Sequence, residues 1–320
     1  MRIVVGPNQL GLEQVVPQLS QAFPQVQVQF VGDPVGFAQA LAEADILWGW
    51  CNRAEYLRAC NLRWVQAPST GVNGFMAIPE FVAGEVLLTN AKGTHGTSLA
   101  DQAMGMILWF TRKLGVSIQR QREHRWASAE LRNHLLELTD STLGIIGFGV
   151  IGRALAKRAA AFDMRIIAVD VIPQEKPSYV ARLDPLDGLS ELLAEADYVV
   201  VTVPYTPATA GMISQHEIAQ MKDGAFLAGI SRGGIIDEWA LTQALRSGKL
   251  AGAALDVCEQ EPLPASSELW DLPNLLLTPH TAGGTQFELQ RLFDIMQTNV
   301  GRFLRGESPL LNQIDKQRGF

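Results

Sequence analysis

Leu143-Gly-Ile-Ile-Gly-Phe-Gly-Val-Ile-Gly-Arg153 is the stretch whose reading decides the fold. Its apolar start, Leu143 to Ile146, predicts a buried strand. Gly147, Gly149 and Gly152 then stand in G-x-G-x-x-G spacing, and Val150 to Phe162 predicts an Ala-rich helix. Glycines so spaced have three tasks: a tight turn, close approach of the backbone to a pyrophosphate, and close packing of helix on strand. The helix start adds unpaired N–H groups and a partial positive charge. With 29 glycines in 320 residues the pattern alone is weak, and its surroundings carry the argument. A second apolar strand, Arg165 to Val169, ends at Asp170. That is close to the distance, about 20 residues, at which a ribose-binding carboxylate is expected. Such a carboxylate accepts from the 2′- and 3′-hydroxyls and repels a 2′-phosphate, so NAD is expected over NADP. Lys176 is the nearby cation that would weaken this repulsion.

The composition agrees with a globular enzyme or binding protein of two domains. At 320 residues the chain is long for one core, and it is 47% hydrophobic and 18% charged. A formal net charge of −7 provides no cationic field for nucleic acid. No apolar run reaches the roughly 18 residues of a membrane span, and the Met1-Arg-Ile-Val-Val start lacks a secretory pattern. Cys51, Cys60 and Cys258 form neither a metal spacing nor an even disulfide set. A cytoplasmic location and no bound metal are the expectations.

The first hundred residues alternate predicted strands (Arg2 to Val5, Val26 to Val31, Ile46 to Trp48, Leu62 to Gln66) with helices (Gly11 to Phe23, Phe37 to Ala44). A loop rich in Gly and Asn, Ala67 to Gly74, reads equally as an anion cradle or a plain turn. From Ser98 a long helix carries Leu99, Ala103, Met106, Ile107, Phe110 and Leu114 on one stripe, with Ala100, Met104 and Leu108 beside it. A helix apolar nearly all round is buried, here between domains or subunits. Arg120, Arg122, Arg125 and Arg132, scattered among Glu123, Glu130 and Glu137, read as a solvated face. Strands and helices then alternate to Leu277, which predicts a parallel, doubly wound sheet. The last helix, Glu288 to Arg305, is expected to pack back on the first domain. The fold class is thus α/β: a Rossmann-type domain over residues 98–285, and a smaller, discontinuous flavodoxin-like domain over 1–97 and 286–320.

Ligands of such sheets lie beyond the carboxyl ends of the strands, and three strands deliver an ionisable group there: Arg232, Glu261 and His280. In a nicotinamide cleft these groups divide the labour. The His exchanges a proton with a substrate oxygen, the carboxylate orients the His, and the permanently cationic, fork-shaped Arg holds a carboxylate or polarises a carbonyl. Singly, each has an ordinary structural role as its alternative; jointly, at three strand ends of one sheet, they point to chemistry. Trp48 and Trp50 either line the cleft, favouring small acids, or belong to the core.

The runs Val203-Pro-Tyr-Thr-Pro-Ala-Thr209, Ser231-Arg-Gly-Gly-Ile-Ile-Asp-Glu238, Gly252-Ala-Ala-Leu-Asp-Val-Cys-Glu-Gln-Glu-Pro262 and Pro273 to Thr285 resemble the D-isomer-specific 2-hydroxyacid dehydrogenase family. The likeness is dense over the nucleotide domain and loose over the outer one. It implies Arg232, Glu261 and His280 as the catalytic set. It places the cofactor, NAD, against Gly147, Phe148, Gly149, Val150, Ile151, Gly152, Asp170, Val203, Pro204, Thr209, Ile230, Ser231, Arg232, Asp256, His280 and Gly283. Asp256 would hold the nicotinamide carboxamide. Ser69, Thr70, Gly71 and Val72, with Arg232 and His280, would hold a small 2-oxo or 2-hydroxy acid of the glyoxylate or hydroxypyruvate kind. A homodimer is implied as well. Gly229 departs from the family's usual Asn and is expected to loosen the strand that aims Arg232, and Cys258 stands where an aromatic is common. Glu261, where the formate dehydrogenase branch has Gln, argues for proton chemistry. Two rivals share these motifs. An NAD-sensing corepressor would keep even the catalytic set. A phosphoglycerate dehydrogenase would want a cation in the Ser69 to Gly74 loop, which has none, and a C-terminal regulatory domain.

Overall fold

The computed structural model describes residues 1–172 and 175–317. Labelling only helices of six residues or more, the chain begins β1 (Arg2–Val5), α1 (Val16–Ala22), β2 (Gln27–Phe30), α2 (Pro34–Ala42), β3 (Ile46–Trp48), β4 (Trp64–Gln66) and β5 (Leu87–Thr89). It continues α3 (Gly96–Thr111), α4 (Leu114–Arg122), β6 (Thr142–Ile146), α5 (Val150–Ala160), β7 (Arg165–Val169), β8 (Arg182–Asp184), α6 (Leu189–Glu195) and β9 (Tyr198–Val201). Then come α7 (Gln215–Gln220), β10 (Ala225–Gly229), α8 (Glu238–Ser247), β11 (Leu250–Leu255), β12 (Leu275–Leu277) and α9 (Glu288–Leu304). These elements form two compact units, Met1–Thr94 with Thr285–Phe320, and His95–Gly284. The crossings fall at 94/95 and 284/285, against 97/98 and 285/286 read from the sequence. Among the described residues no helix is long and apolar enough to cross a membrane.

The outer unit is a five-stranded parallel sheet of order β2-β1-β3-β4-β5, the flavodoxin-like order. Leu12, Val15 and Leu19 cover one face together with α9, whose Leu292, Phe293, Met296 and Val300 recur at helical spacing. Phe37, Leu41, Phe75 and Phe81 cover the other. Trp48 is fully buried in the first of these cores, whereas Trp50 is 39% exposed; of the two tryptophans, Trp48 is therefore a core residue. A buried polar network fastens α9 and the tail to the sheet. Asn299, with no exposed surface, donates to Gln66 Oε1 (3.1 Å) and the Leu311 carbonyl (2.9 Å) and accepts from the Leu311 amide (2.7 Å). Thr89 Oγ1 joins by donating to Gln66 Oε1 (2.7 Å) and accepting from Trp64 Nε1 (2.8 Å). Satisfied networks of this kind specify one arrangement of the chain.

The nucleotide-domain unit is a seven-stranded sheet of order β12-β11-β10-β9-β6-β7-β8, parallel throughout. Strand order reverses between β6 and β9, so a crevice opens at the carboxyl end of β6, the position where such sheets bind ligands. Helices α6, α7 and α8 cover one face through Leu192, Leu193, Ile218, Leu241 and Leu245. Helices α3 and α5 cover the other through Ala100, Ala103, Met104, Ile107, Leu155 and Ala159.

The helix from Ser98 is shorter than its apolar stripe predicts. It stops at Thr111, Lys113 takes a left-handed conformation (φ 52°), and Leu114 opens a separate helix, 42% exposed. The turn lets Gly115 lie against the Trp109 indole, where a Cβ would approach to 2.7 Å. Beyond it, the arginines behave as a solvated face: Arg120 and Arg125 both pair with Glu130.

Candidate active site

The three glycines of the turn between β6 and α5 have three different surroundings. Gly147 has φ 96°, and a Cβ on it would lie 2.9 Å from both Thr202 Oγ1 and Val203 Cγ1. At Gly152 an added Cβ would come within 2.2 Å of the Gly147 carbonyl oxygen, so α5 rests directly on the turn. At Gly149 it would meet nothing within 4 Å. This open space lies before the first residue of α5, where backbone N–H groups and the helix dipole favour an anion. Val150 is exposed, Ile151 half-buried, and the side chain of Phe148 fully buried, so only the Phe148 backbone faces a ligand.

Asp170, at the end of β7, is held by two amides: Phe148 N–H donates to Oδ2 (2.6 Å) and Ile172 N–H to Oδ1 (2.8 Å). A carboxylate has about four lone-pair sites, so Asp170 keeps acceptor capacity for hydroxyls and keeps its charge in a fixed place. Lys176 Nζ donates to the Val180 carbonyl. Thr202 Oγ1 donates to the Gly147 carbonyl (2.7 Å) and fastens the loop after β9 to the turn. In that loop, which carries Val203 and Pro204, Thr209 Oγ1 donates to the Pro204 carbonyl and accepts from the Thr206 amide. Ile230 is buried and offers only backbone, whereas the Ser231 hydroxyl is buried without any hydrogen-bond partner. An orphaned buried hydroxyl is costly unless a ligand or water satisfies it. The open cradle at Gly149 and this hydroxyl fit a dinucleotide along the strand ends.

Arg232 follows β10, Glu261 follows β11 and His280 follows β12, three adjacent strands. His280 Nδ1 and Glu261 Oε2 are 2.6 Å apart, and Glu261 Oε1 accepts from the Cys258 amide (3.0 Å). The pair is half-exposed. Arg232 donates from Nη1 to the Ser231 carbonyl (2.6 Å). Burial pushes its pKa below the ordinary guanidinium value, and the Glu261 charge opposes that shift; Arg remains a cation throughout. His280 has φ 53°, a left-handed conformation that costs a non-glycine residue about 1–3 kcal/mol and persists only where its surroundings enforce it.

Asp256, 1% exposed, lies against the turn that carries His280. Its Oδ1 accepts from Thr278 Oγ1 (2.5 Å) and the Thr281 amide (3.1 Å), and its Oδ2 accepts from the Ala282 amide (2.9 Å). Its carbonyl also accepts from the His280 amide (2.8 Å). Gly283, three residues after His280, accepts through its carbonyl from Ser98 Oγ (3.1 Å). Gly229 is not a loose point in β10: a Cβ would sit 2.9 Å from Ile236 Cδ1 and 3.1 Å from Leu255 Cδ2, so neighbouring side chains fill the place.

Several residues around the site carry no motif that would single them out. Glu238 and Glu259 form a reciprocal clasp, each carboxylate accepting from the other's amide (3.2 and 2.6 Å), which joins the Arg232 loop to the Glu261 loop. Burial first, then repulsion by Glu259, Asp237 and Glu261, pushes the Glu238 carboxyl above the usual range, with the Glu259 amide opposing. Gln102 and Thr278 are described below.

In the outer unit the Ser69–Val72 loop follows β4. Ser69 Oγ donates to the Gly71 carbonyl (2.7 Å), the Ser69 carbonyl accepts from the Ala91 amide (3.0 Å), and the Thr70 carbonyl accepts from Asn90 Nδ2 (2.7 Å). Thr70 is exposed and Val72 buried, so Val72 likewise offers only backbone. Among the described residues no group of three or more His, Cys, Asp and Glu is placed to hold a metal ion.

Residues 104–282 match the family model described as D-isomer specific 2-hydroxyacid dehydrogenase, NAD binding domain. The chain belongs to that family. It is 36% identical over 232 residues to the glyoxylate reductase of Korarchaeum cryptofilum, covering 71% of this chain and 70% of the relative. It is 36% identical over 223 residues to the D-3-phosphoglycerate dehydrogenase of Methanocaldococcus jannaschii, covering 69% of this chain but only 42% of that longer protein. In structure it is similar to an NADPH-dependent glyoxylate/hydroxypyruvate reductase from Sinorhizobium meliloti, solved with NADP and sulfate. That similarity has a TM-score of 0.86 at 28% identity and covers the whole of both chains.

Proposed function

We propose that this family member reversibly reduces a small 2-oxo acid, of the glyoxylate or hydroxypyruvate kind, to the D-2-hydroxy acid, with NADH as cofactor. The observation that carries the reading is the His280–Glu261 pair, 2.6 Å apart, which with Arg232 follows the ends of three successive strands of the sheet, β12, β11 and β10. The cofactor, when bound, supplies the hydride. Gly149 leaves room for its pyrophosphate, Gly147 and Gly152 set the turn and the helix contact beside it, and the Ser231 hydroxyl would find a partner in it. His280 holds a proton on Nε2 while Nδ1 donates to Glu261, and passes the Nε2 proton to the carbonyl oxygen in reduction; in oxidation it takes that proton back. Glu261 keeps the ring aimed and balances its charge. Arg232 has guanidinium N–H groups beyond the one on Ser231 and uses them to hold the substrate carboxylate and polarise the carbonyl. Ser69, Thr70, Gly71 and Val72 are assigned to the same carboxylate on the family resemblance.

Asp170 supports NAD over NADP: a 2′-phosphate would set a second anion against a carboxylate that two amides keep in place. The Sinorhizobium meliloti relative is NADPH-dependent, so the assay includes both cofactors. The test is loss of absorbance at 340 nm with glyoxylate, hydroxypyruvate, pyruvate and 3-phosphohydroxypyruvate, each with NADH and NADPH. His280→Gln lowers turnover by roughly 10²- to 10⁴-fold and leaves NADH affinity in place. No turnover of any acid beside tight NADH binding would instead favour a cofactor-sensing protein. A homodimer joined through the nucleotide-binding units is proposed on the same resemblance, and sedimentation at micromolar concentration checks it.

A further inference from the structure

Asp256 has its two carboxylate oxygens occupied by the chain's own donors, and every one of those donors lies in the turn that carries His280. The Thr278 hydroxyl stands before His280, and the Thr281 and Ala282 amides after it. The His280 amide itself donates to the Asp256 carbonyl (2.8 Å) and the Thr278 carbonyl (3.0 Å). Behind Thr278 is a further donor: Gln102 Nε2, on α3, reaches Thr278 Oγ1 at 3.3 Å. One partly buried chain of hydrogen bonds therefore runs from Gln102 through Thr278 to Asp256 and on into the backbone on the far side of His280.

We infer that Asp256, with Thr278 and Gln102, is a positioning unit for His280: it holds the left-handed turn that keeps the imidazole on Glu261. The inference rests on the proposed role of His280 but concerns a separate property, the placement of the ring. Three features support it. Asp256 is 1% exposed, so its oxygens face the protein. An ionised carboxylate only accepts, and all three partners are donors, so the match of charge and number needs Asp; Asn would turn an NH2 toward one of the amides. A left-handed His bracketed by a bound hydroxyl and two bound amides has no freedom to rotate its backbone, and Nδ1 is thereby kept 2.6 Å from Glu261 Oε2. Glu261 is itself fixed from the β11 side by the Cys258 amide. The acid–base pair is thus assembled by backbone amides on both sides, and the buried carboxylate is the element common to the His280 half.

The test uses the full chain labelled on the rings of its five histidines, with His280→Gln to assign the His280 signals. Asp256→Asn and the milder Thr278→Val are expected to move the His280 ring signals while those of the other four histidines stay. In Thr278→Val, NADH affinity, from fluorescence titration, changes by less than about twofold. With a 2-oxo acid that is turned over, Asp256→Asn lowers kcat tenfold or more with a smaller change in KM. Added to His280→Gln it lowers kcat no further, because the ring it positions is gone. Should Asp256→Asn fail to fold, Thr278→Val carries the test alone. If the His280 signals are unmoved in the folded variants, the proposal is overturned. A tenfold weaker NADH affinity with an unmoved His280 would likewise overturn it and assign Asp256 to the nicotinamide instead. If no 2-oxo acid is turned over by the unmodified chain, the functional reading fails while the ring signals still decide the positioning.

Discussion

Replacing Gly152 with alanine sets a methyl carbon 2.2 Å from the Gly147 carbonyl oxygen, about 1 Å inside a close carbon–oxygen contact of roughly 3.3 Å. The obstacle is backbone, not the far end of a flexible side chain, so α5 must shift on β6. Overpacking of this kind costs about 1–3 kcal/mol and occasionally more, and the better helix propensity of alanine returns at most about 1 kcal/mol. A net loss of about 2 kcal/mol corresponds to a fall in Tm of roughly 4–8 °C for a unit of this size. NADH affinity is expected to fall with it, because the displaced strand-to-helix turn is the one assigned to the pyrophosphate. Gly149→Ala is the paired control. Its methyl meets nothing within 4 Å and its φ of −76° suits any residue, so Tm stays within about 2 °C. Yet the methyl occupies the space assigned to the pyrophosphate, and NADH affinity is expected to drop tenfold or more, about 1.4 kcal/mol. Thermal unfolding without cofactor and NADH fluorescence titration separate the two. A Gly149→Ala protein that binds NADH like the parent, or a Gly152→Ala protein with the parent's Tm, would refute the reasoning.

Other consequences follow from buried and shifted groups. Because the Glu238 carboxyl is raised in the folded state, its contribution is favourable below the unfolded carboxylate pKa and is lost as pH rises through the folded value. Glu238→Gln keeps the acceptor for the Glu259 amide and removes the charge, so it should raise Tm at pH 8 and lose that advantage near pH 4; an equal gain at both pH values would count against this. Asn299→Ala strands the Leu311 amide inside the outer unit and should cost about 2–4 kcal/mol in denaturant unfolding; a loss under 1 kcal/mol would show the network to be dispensable. Burial first, with nearby acidic charge second, pushes the Cys51 and Cys258 thiols to about 12 and about 11. At pH 8 only about one Cys258 in a thousand is then a thiolate. Iodoacetamide should label the exposed Cys60 first, and prior labelling of Cys258 in the native protein, read by mass spectrometry, would contradict the assignment.

Elements with a strong apolar period are legible in the sequence. β6, β7, β9 and β10 are continuous apolar runs, as strands buried on both faces of a parallel sheet must be, and the structure has β6 and β7 within one residue of the expected bounds. β8 was not foreseen because Arg182-Leu-Asp184 is a three-residue edge strand, half-buried and charged at both ends, with no run to detect. β5, also three residues long, escaped for the same want of length. The break between α3 and α4 escaped for a different reason. Leu114 continues the helical spacing, and what stops the helix is Lys113 turning left-handed so that Gly115 meets Trp109, a tertiary contact that overrides local pattern.

The candidate site shows the same division at finer scale. Arg232, Glu261 and His280 could be found by counting forward from strand ends, because a parallel sheet puts all those ends on one side. What each carboxylate faces could not be counted. Asp170 and Asp256 both follow strands of the same sheet, and from the sequence both read as cofactor ligands. In the structure Asp170 is half-exposed and bound by one amide on each oxygen, whereas Asp256 is buried and satisfied threefold by the turn around His280. The difference is one of solvation: a carboxylate that water can reach keeps lone pairs for a ligand, and one that water cannot reach must find all its donors within the protein. Burial, which no spacing encodes, thus separates the aspartate with acceptor capacity left for a ligand from the one whose donors all lie in the turn around His280.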